Sequence, residues 1–185
     1  MGLSLAWWLI VCLAAVAALD TRSNGFYVQT RIGRGGRPFR LLKLRTMTTS
    51  TALDTTVTAE DDPRITRIGR LLRRSKLDEL PQLINVLIGD MSFVGPRPDV
   101  AGFADLLQGH DRLILSVRPG ITGPATLKYR HEERILAQQA DPERYNAEHI
   151  YPDKVRINRE YVENYRFTTD LRLLLQTVCT RFKWE

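Results

Sequence analysis

The chain has 185 residues, 43% hydrophobic and 26% charged, enough to core one domain and too few for two full-sized ones. A formal net charge of +6 directs it toward anionic partners, meaning nucleotides, lipid phosphates, an acidic membrane surface or nucleic acid. Its two cysteines, Cys12 and Cys179, lie far apart and match neither a disulfide framework nor a zinc site, which fits a reducing compartment.

Leu3 to Leu19 carries no charge and includes Trp7 and Trp8, so residues 1–20 are predicted to form a membrane anchor helix. Its length is at the lower edge of the about 17–25 residues a span needs, which leaves spanning and re-entrant insertion both open. Arg22, Arg31, Arg34 and Arg37 follow it, and the positive-inside bias places residues 21–185 on the cytoplasmic face of the membrane. A cleaved signal peptide ending at Ala15-Val16-Ala17 is the weaker alternative, because no basic n-region precedes the apolar run.

Phe26–Ile32 and Pro38–Arg45, separated by Gly33-Arg34-Gly35-Gly36, predict a β-hairpin. Alternation along the second strand places Phe39, Leu41, Lys43 and Arg45 on one face, where two cations can reach one phosphate group. The glycine cluster lacks the Lys-Ser/Thr ending of a phosphate loop and reads as a plain turn. Residues 46–60 are Thr-rich and are expected to form a surface loop. From Asp62 or Pro63 a basic amphipathic helix is predicted, with Ile65, Ile68, Leu71 and Leu72 apolar and Arg64, Arg67, Arg70, Arg73 and Arg74 on the other faces. Such a helix suits either an anionic bilayer or a surface position over the core.

Next comes Ser75-Lys-Leu-Asp78-Glu79-Leu-Pro81, with two adjacent acids. One reading is a capping box, Ser75-x-x-Asp78. The other is a reactive site. Regular helical neighbours diverge by about 100°, whereas Pro81 disturbs the turn and lets Asp78 and Glu79 converge. Beside Arg73, Arg74 and Lys76, Asp78 is expected to stay ionised, able to attack phosphorus or hold a divalent cation. A short helix Gln82–Ile88 should end at Gly89. Gly95-Pro96-Arg97-Pro98 and Arg118-Pro119-Gly120 each hold an arginine beside proline, a stiffened setting for phosphate recognition. His110, His131 and His149 share no metal-ligand spacing. A last helix, 169–182, is predicted with Leu171, Leu174, Leu175, Val178, Cys179 and Phe182 on one stripe, packed on the core or lying at the interface. The expected fold is a compact α/β domain, mainly helical, with a short β-hairpin and the amino-terminal inserted helix.

The ordered series Arg31-x-Gly33-x-x-Gly36-x-x-Phe39-x-x-x-Lys43-x-Arg45-Thr-Met, Asp62-Pro-Arg-Ile-Thr66, Leu77-Asp-Glu-Leu-Pro-Gln82, Gly89-Asp-Met-Ser-x-Val-Gly-Pro-Arg-Pro98 and Arg118-Pro-Gly-Ile-Thr-Gly123 resembles the bacterial sugar transferases known as monotopic phosphoglycosyl transferases. That resemblance implies transfer of a sugar phosphate from a UDP-sugar to polyprenyl (undecaprenyl) phosphate with release of UMP and dependence on Mg²⁺. The reaction opens bacterial surface glycan assembly, at the inner membrane's cytoplasmic face. It implies Asp78 as the nucleophile, carrying a phosphosugar-aspartyl intermediate, and as a ligand of Mg²⁺, with Glu79 completing the dyad. Lys43, Arg45, Arg73, Arg97 and Arg118 are the candidates for binding the diphosphate and the lipid phosphate. A homo-oligomer is compatible with the pattern. The chain departs from the family at Trp7-Trp8, where a Ser-Pro helix break is usual, and at Asn158, where many members carry Asp. Two rival classes are a catalytically inactive membrane-anchored scaffold and a basic nucleic-acid binder. The second lacks interleaved aromatics and any recognition motif, so no nucleic-acid partner is expected.

Overall fold

The structure is a computed structural model describing residues 2–48 and 62–182. The predicted loop at 46–60 therefore lies almost wholly outside the described residues. The fold is mainly helical α/β, and the chain divides into two compact units, Met1–Gln29 with Arg40–Asn85 and Thr30–Phe39 with Val86–Glu185. Helix α1 (Gly2–Thr21) leads into strands β1 (Phe26–Ile32) and β2 (Pro38–Leu44), which pair as the predicted hairpin, and then α2 (Arg67–Arg74) and α3 (Gln82–Ile88).

In the first unit, Ile10, Ala14, Ala17 and Thr21 form the buried stripe of α1 at helical spacing. Ala14 packs with Leu44 of β2 and Leu72 of α2. A Cβ built on Gly25 would stand 1.9 Å from the Ala14 carbonyl oxygen, so the hairpin enters directly against the helix backbone. Helix α1 also exposes Trp7, Trp8, Leu9, Val11, Val16 and Leu19. Among the described residues no helix is long and apolar enough to cross a membrane.

Helix α2 starts at Arg67, later than the expected Asp62 or Pro63. The Asp62 carboxylate is engaged by the Arg64 backbone N–H and guanidinium, holding that stretch as a turn, and Thr66 is the true N-cap, its hydroxyl accepting from the Gly69 N–H at 2.8 Å. The capping box at Ser75 does not form. Ser75 ends α2, and its hydroxyl donates back to the Leu71 and Leu72 carbonyls.

In the second unit, β3 (Ser92–Val94) pairs in parallel with β4 (Gly120–Thr122), Ser92 opposite Gly120 and Val94 opposite Thr122. Helices α4 (Pro124–Lys128), α5 (Glu132–Ala137), α6 (Pro142–Tyr145), α7 (Tyr151–Glu163) and α8 (Phe167–Phe182) follow. Its core groups Ile32, Ala104, Ile114, Leu115 and Val155. Helix α8 packs on β3 and β4, where the Thr177 and Thr122 hydroxyls meet at 2.7 Å. Of the two placements expected for the α8 stripe, packing on the core is not the one seen. Leu173 is the buried residue, while Leu171, Leu175 and Val178 are exposed, because α8 turns its Leu173–Thr177 edge to the short sheet.

Candidate active site

The site is built in the first unit around a one-turn 3-10 helix, Leu77–Glu79, between α2 and α3. Lys76 precedes it in the left-handed region, φ 55°, which reverses the chain after α2. Pro81 is fully buried at the junction with α3. Backbone bonds from Glu79 N to Lys76 O and Leu80 N to Leu77 O close the turn, and Leu83 N to Leu80 O and Ile84 N to Pro81 O open the helix beyond Pro81. The two acids thus sit in a tight 3-10 turn two residues before Pro81, where Glu79 acts electrostatically on Asp78.

Asp78 and Glu79 are each 8% exposed. The Lys43 ammonium, on β2, stands 3.6 Å from a Glu79 carboxylate oxygen. Burial first and Glu79 second raise the Asp78 pKa, while Lys43, Lys76 and Arg73 pull it back. Three cations act on Asp78, as its sequence neighbourhood led one to expect, and desolvation outweighs their pull, so the carboxyl titrates above its ordinary value. One Asp78 oxygen, Oδ1, is buried with no hydrogen-bond partner. That orphaned acceptor, with a second carboxylate on the next residue, fits a hard divalent cation, since Mg²⁺ commonly takes only one or two carboxylates and fills its remaining positions with water and phosphate oxygens.

The other predicted residues divide. Arg73, on α2, donates to the Met47 sulfur at 3.6 Å and acts electrostatically on both Asp78 and Asp62. Arg45 does not accompany Lys43. Its guanidinium donates to the Asn24 carbonyl at 2.7 Å and lies over the Tyr27 ring, because the strand ends at Leu44 and the two-residue alternation ends with it. Arg97 and Arg118 belong to the second unit. Arg118 is exposed, and Arg97 lines a shallow pocket with Ile32, Gly33, Pro96 and Pro98. The same pocket holds Asp99, whose carboxyl burial pushes up to about 6 against the pull of Lys154, Arg31 and Arg97.

Sequence reasoning named Lys76 as a nearby cation but not its positive φ, which only the folded turn reveals. It missed Asn85 altogether. Asn85 reads in sequence as an ordinary helix residue, yet it is fully buried and bonded to β2.

Comparison with known proteins bears on this geometry. The family described as "Bacterial sugar transferase" matches residues 1–184. A Bacillus subtilis protein with the provisional name undecaprenyl-phosphate N-acetylgalactosaminyl 1-phosphate transferase is 45% identical over 58% of this chain and 61% of its own. A UDP-N-acetylgalactosamine-undecaprenyl-phosphate N-acetylgalactosaminephosphotransferase of Aeromonas hydrophila is 32% identical over 93% of this chain and 38% of its own. A UDP-glucose:undecaprenyl-phosphate glucose-1-phosphate transferase of Caulobacter vibrioides is 34% identical over 91% of this chain and 61% of its own. The chain thus spans between about a third and two thirds of the length of these relatives.

Proposed function

The chain belongs to the bacterial sugar transferase family, and from that premise we propose that it moves a sugar 1-phosphate from a UDP-sugar to a polyprenyl phosphate such as undecaprenyl phosphate, releasing UMP. The observation that carries this reading is the Asp78-Glu79 pair, sunk among Lys43, Lys76 and Arg73. A buried carboxylate ringed by cations is poorly solvated, hence a better nucleophile, and the same cations accept the charge of an incoming diphosphate.

In this reading an Asp78 carboxylate oxygen forms a bond to the β-phosphorus of the UDP-sugar as the bond from that phosphorus to the UMP oxygen breaks. UMP leaves with the electron pair. An oxygen of the polyprenyl phosphate then bonds to the same phosphorus, the aspartyl–phosphorus bond breaks, and the Asp78 carboxylate is restored. Both steps invert at phosphorus, and the sum exchanges UMP for the lipid phosphate. Lys43 holds Glu79 beside the reacting carboxylate, and Arg73 and Lys76 supply positive potential. Asp78, with Glu79 adjacent, would hold Mg²⁺, which when bound neutralises phosphate oxygens. The exposed apolar residues of α1 fit insertion at the cytoplasmic face of the inner membrane, where the lipid acceptor resides. Arg97 and Arg118 are assigned to the phosphates by their motifs alone.

The test is UMP release from a panel of UDP-sugars by membranes containing the protein. Release is expected with undecaprenyl phosphate and Mg²⁺. Chelation and Asp78→Asn should each lower it by at least about 10³-fold, since both remove a group acting on the reacting phosphorus. Absence of UMP from every donor with the wild-type protein would overturn the reading.

A further inference from the structure

Asn85 lies on α3 and is 0% exposed. Its amide carbonyl accepts from the Leu42 N–H at 3.0 Å, and its amide nitrogen donates to the Arg40 carbonyl at 2.8 Å. In an extended strand the carbonyl of one residue and the N–H two residues on point to the same edge. Among the described residues that sheet has two strands, β1 and β2. One side chain thus takes the place of a third strand, closing a ring across Leu41 and fixing the β2 backbone one residue ahead of Lys43. At its other end Asn85 is joined to the acidic turn by a short stretch of chain in which the bonds Leu80 N to Leu77 O, Leu83 N to Leu80 O and Ile84 N to Pro81 O stand on either side of buried Pro81.

We infer that Asn85 is a positioning residue: it sets the offset between β2 and the Leu77–Glu79 turn, and so keeps the Lys43 ammonium against Glu79 and beside Asp78. A generic core asparagine would need any satisfied pair of partners. This one is bonded to the two peptides that bracket Leu41, two residues before Lys43, and its own helix follows directly on the turn that carries the acids. At 3.6 Å, the Lys43–Glu79 pair has little slack. A shift of β2 by about 1 Å would take it beyond ion-pair distance, and misplacements of that size near a reacting centre typically cost on the order of 10²-fold.

The inference rests on the proposed function for its kinetic readout, and a second readout is independent of it. Asn85→Ser and Asn85→Asp are compared with wild type, each alone and combined with Lys43→Met. Asn85→Asp keeps the acceptor for Leu42 and sets a carboxylate oxygen against the Arg40 carbonyl. If Asn85 acts through Lys43, its replacement lowers kcat/KM by about 10-fold or more in the wild-type background and by less than about 2-fold once Lys43 is gone. Equal losses in both backgrounds would overturn the inference. The second readout is the rate at which an amine-acylating reagent modifies Lys43, followed by peptide mass spectrometry. Lys43 should react several-fold faster in the Asn85 variants, while Lys154 keeps its wild-type rate. Ile10→Ala, which weakens the same unit from α1 at a buried residue outside the Ala14–Leu44–Leu72 cluster, separates positioning from general loosening and should leave Lys43 unchanged. Faster labelling in Ile10→Ala as well, or no change in the Asn85 variants, would count against positioning. A wild-type protein that releases no UMP would sink the enzymatic reading, and the labelling would still decide the role of Asn85.

Discussion

Asp78 is the residue on which the chemistry turns, and its environment sets a pH requirement. Burial and Glu79 raise its pKa, and only the ionised form can attack phosphorus. The rate should therefore fall as pH drops through a value above the ordinary carboxylate range near 4. Lys43 opposes that rise, so Lys43→Met should move the acid limb of the kcat/KM profile to higher pH. An unmoved limb would show that Lys43 does not act on Asp78. Sequence gave the identity of the acids and their nearby cations, because Asp78, Glu79, Arg73 and Lys76 are close along the chain and Lys43 lies on a legible strand. It did not give the sign of the pKa shift. That sign depends on how much solvent the turn loses, and only the packing of Pro81 and the neighbouring helices decides it.

Among the elements, hairpin, α3 and α8 were legible from alternation, glycine stops and helical periodicity. The short parallel pair was not. Strands of three residues carry no period, and β3 and β4 are held by what the sequence presents as two proline-arginine loops. Their glycines have a packing reason: a Cβ on Gly120 would lie 2.1 Å from the Gly95 nitrogen, and one on Gly123 would lie 2.3 Å from the Gly95 carbonyl oxygen. Backbones in such contact leave no room for a side chain. Gly120→Ala should destabilise the protein by about 1–3 kcal/mol, the usual range for overpacking, seen as a lower Tm in a thermal melt. A melt within experimental error of wild type would refute the contact. For α8 the periodicity was right, and of the two placements expected for its stripe the structure excludes packing on the core. A helix with apolar residues on several faces does not reveal which one is covered, and the Thr122–Thr177 contact settles it in favour of Leu173.

Taken whole, the molecule exposes a run of large apolar side chains on each of two helices, Trp7, Trp8 and Leu19 on α1 and Phe167, Leu171 and Leu175 on α8. Composition predicted an apolar helix over residues 1–20, whereas the division into two units was not visible, since the hairpin passes from the first unit to the second after Gln29 and returns at Arg40. Everywhere else among the described residues bar Arg22, a positive φ is given to glycine; at Lys76 the chain keeps a lysine in the left-handed region instead. That choice carries a backbone cost of about 1–2 kcal/mol. A glycine there would remove most of that cost while losing about 0.5–1 kcal/mol to greater freedom of the unfolded chain. Lys76→Gly should thus melt no lower than wild type yet turn over more slowly, and a variant both cooler-melting and fully active would contradict it. Robustness and speed then pull against each other at this one position, so breeding the protein for heat tolerance alone would be expected to erode its turnover there first.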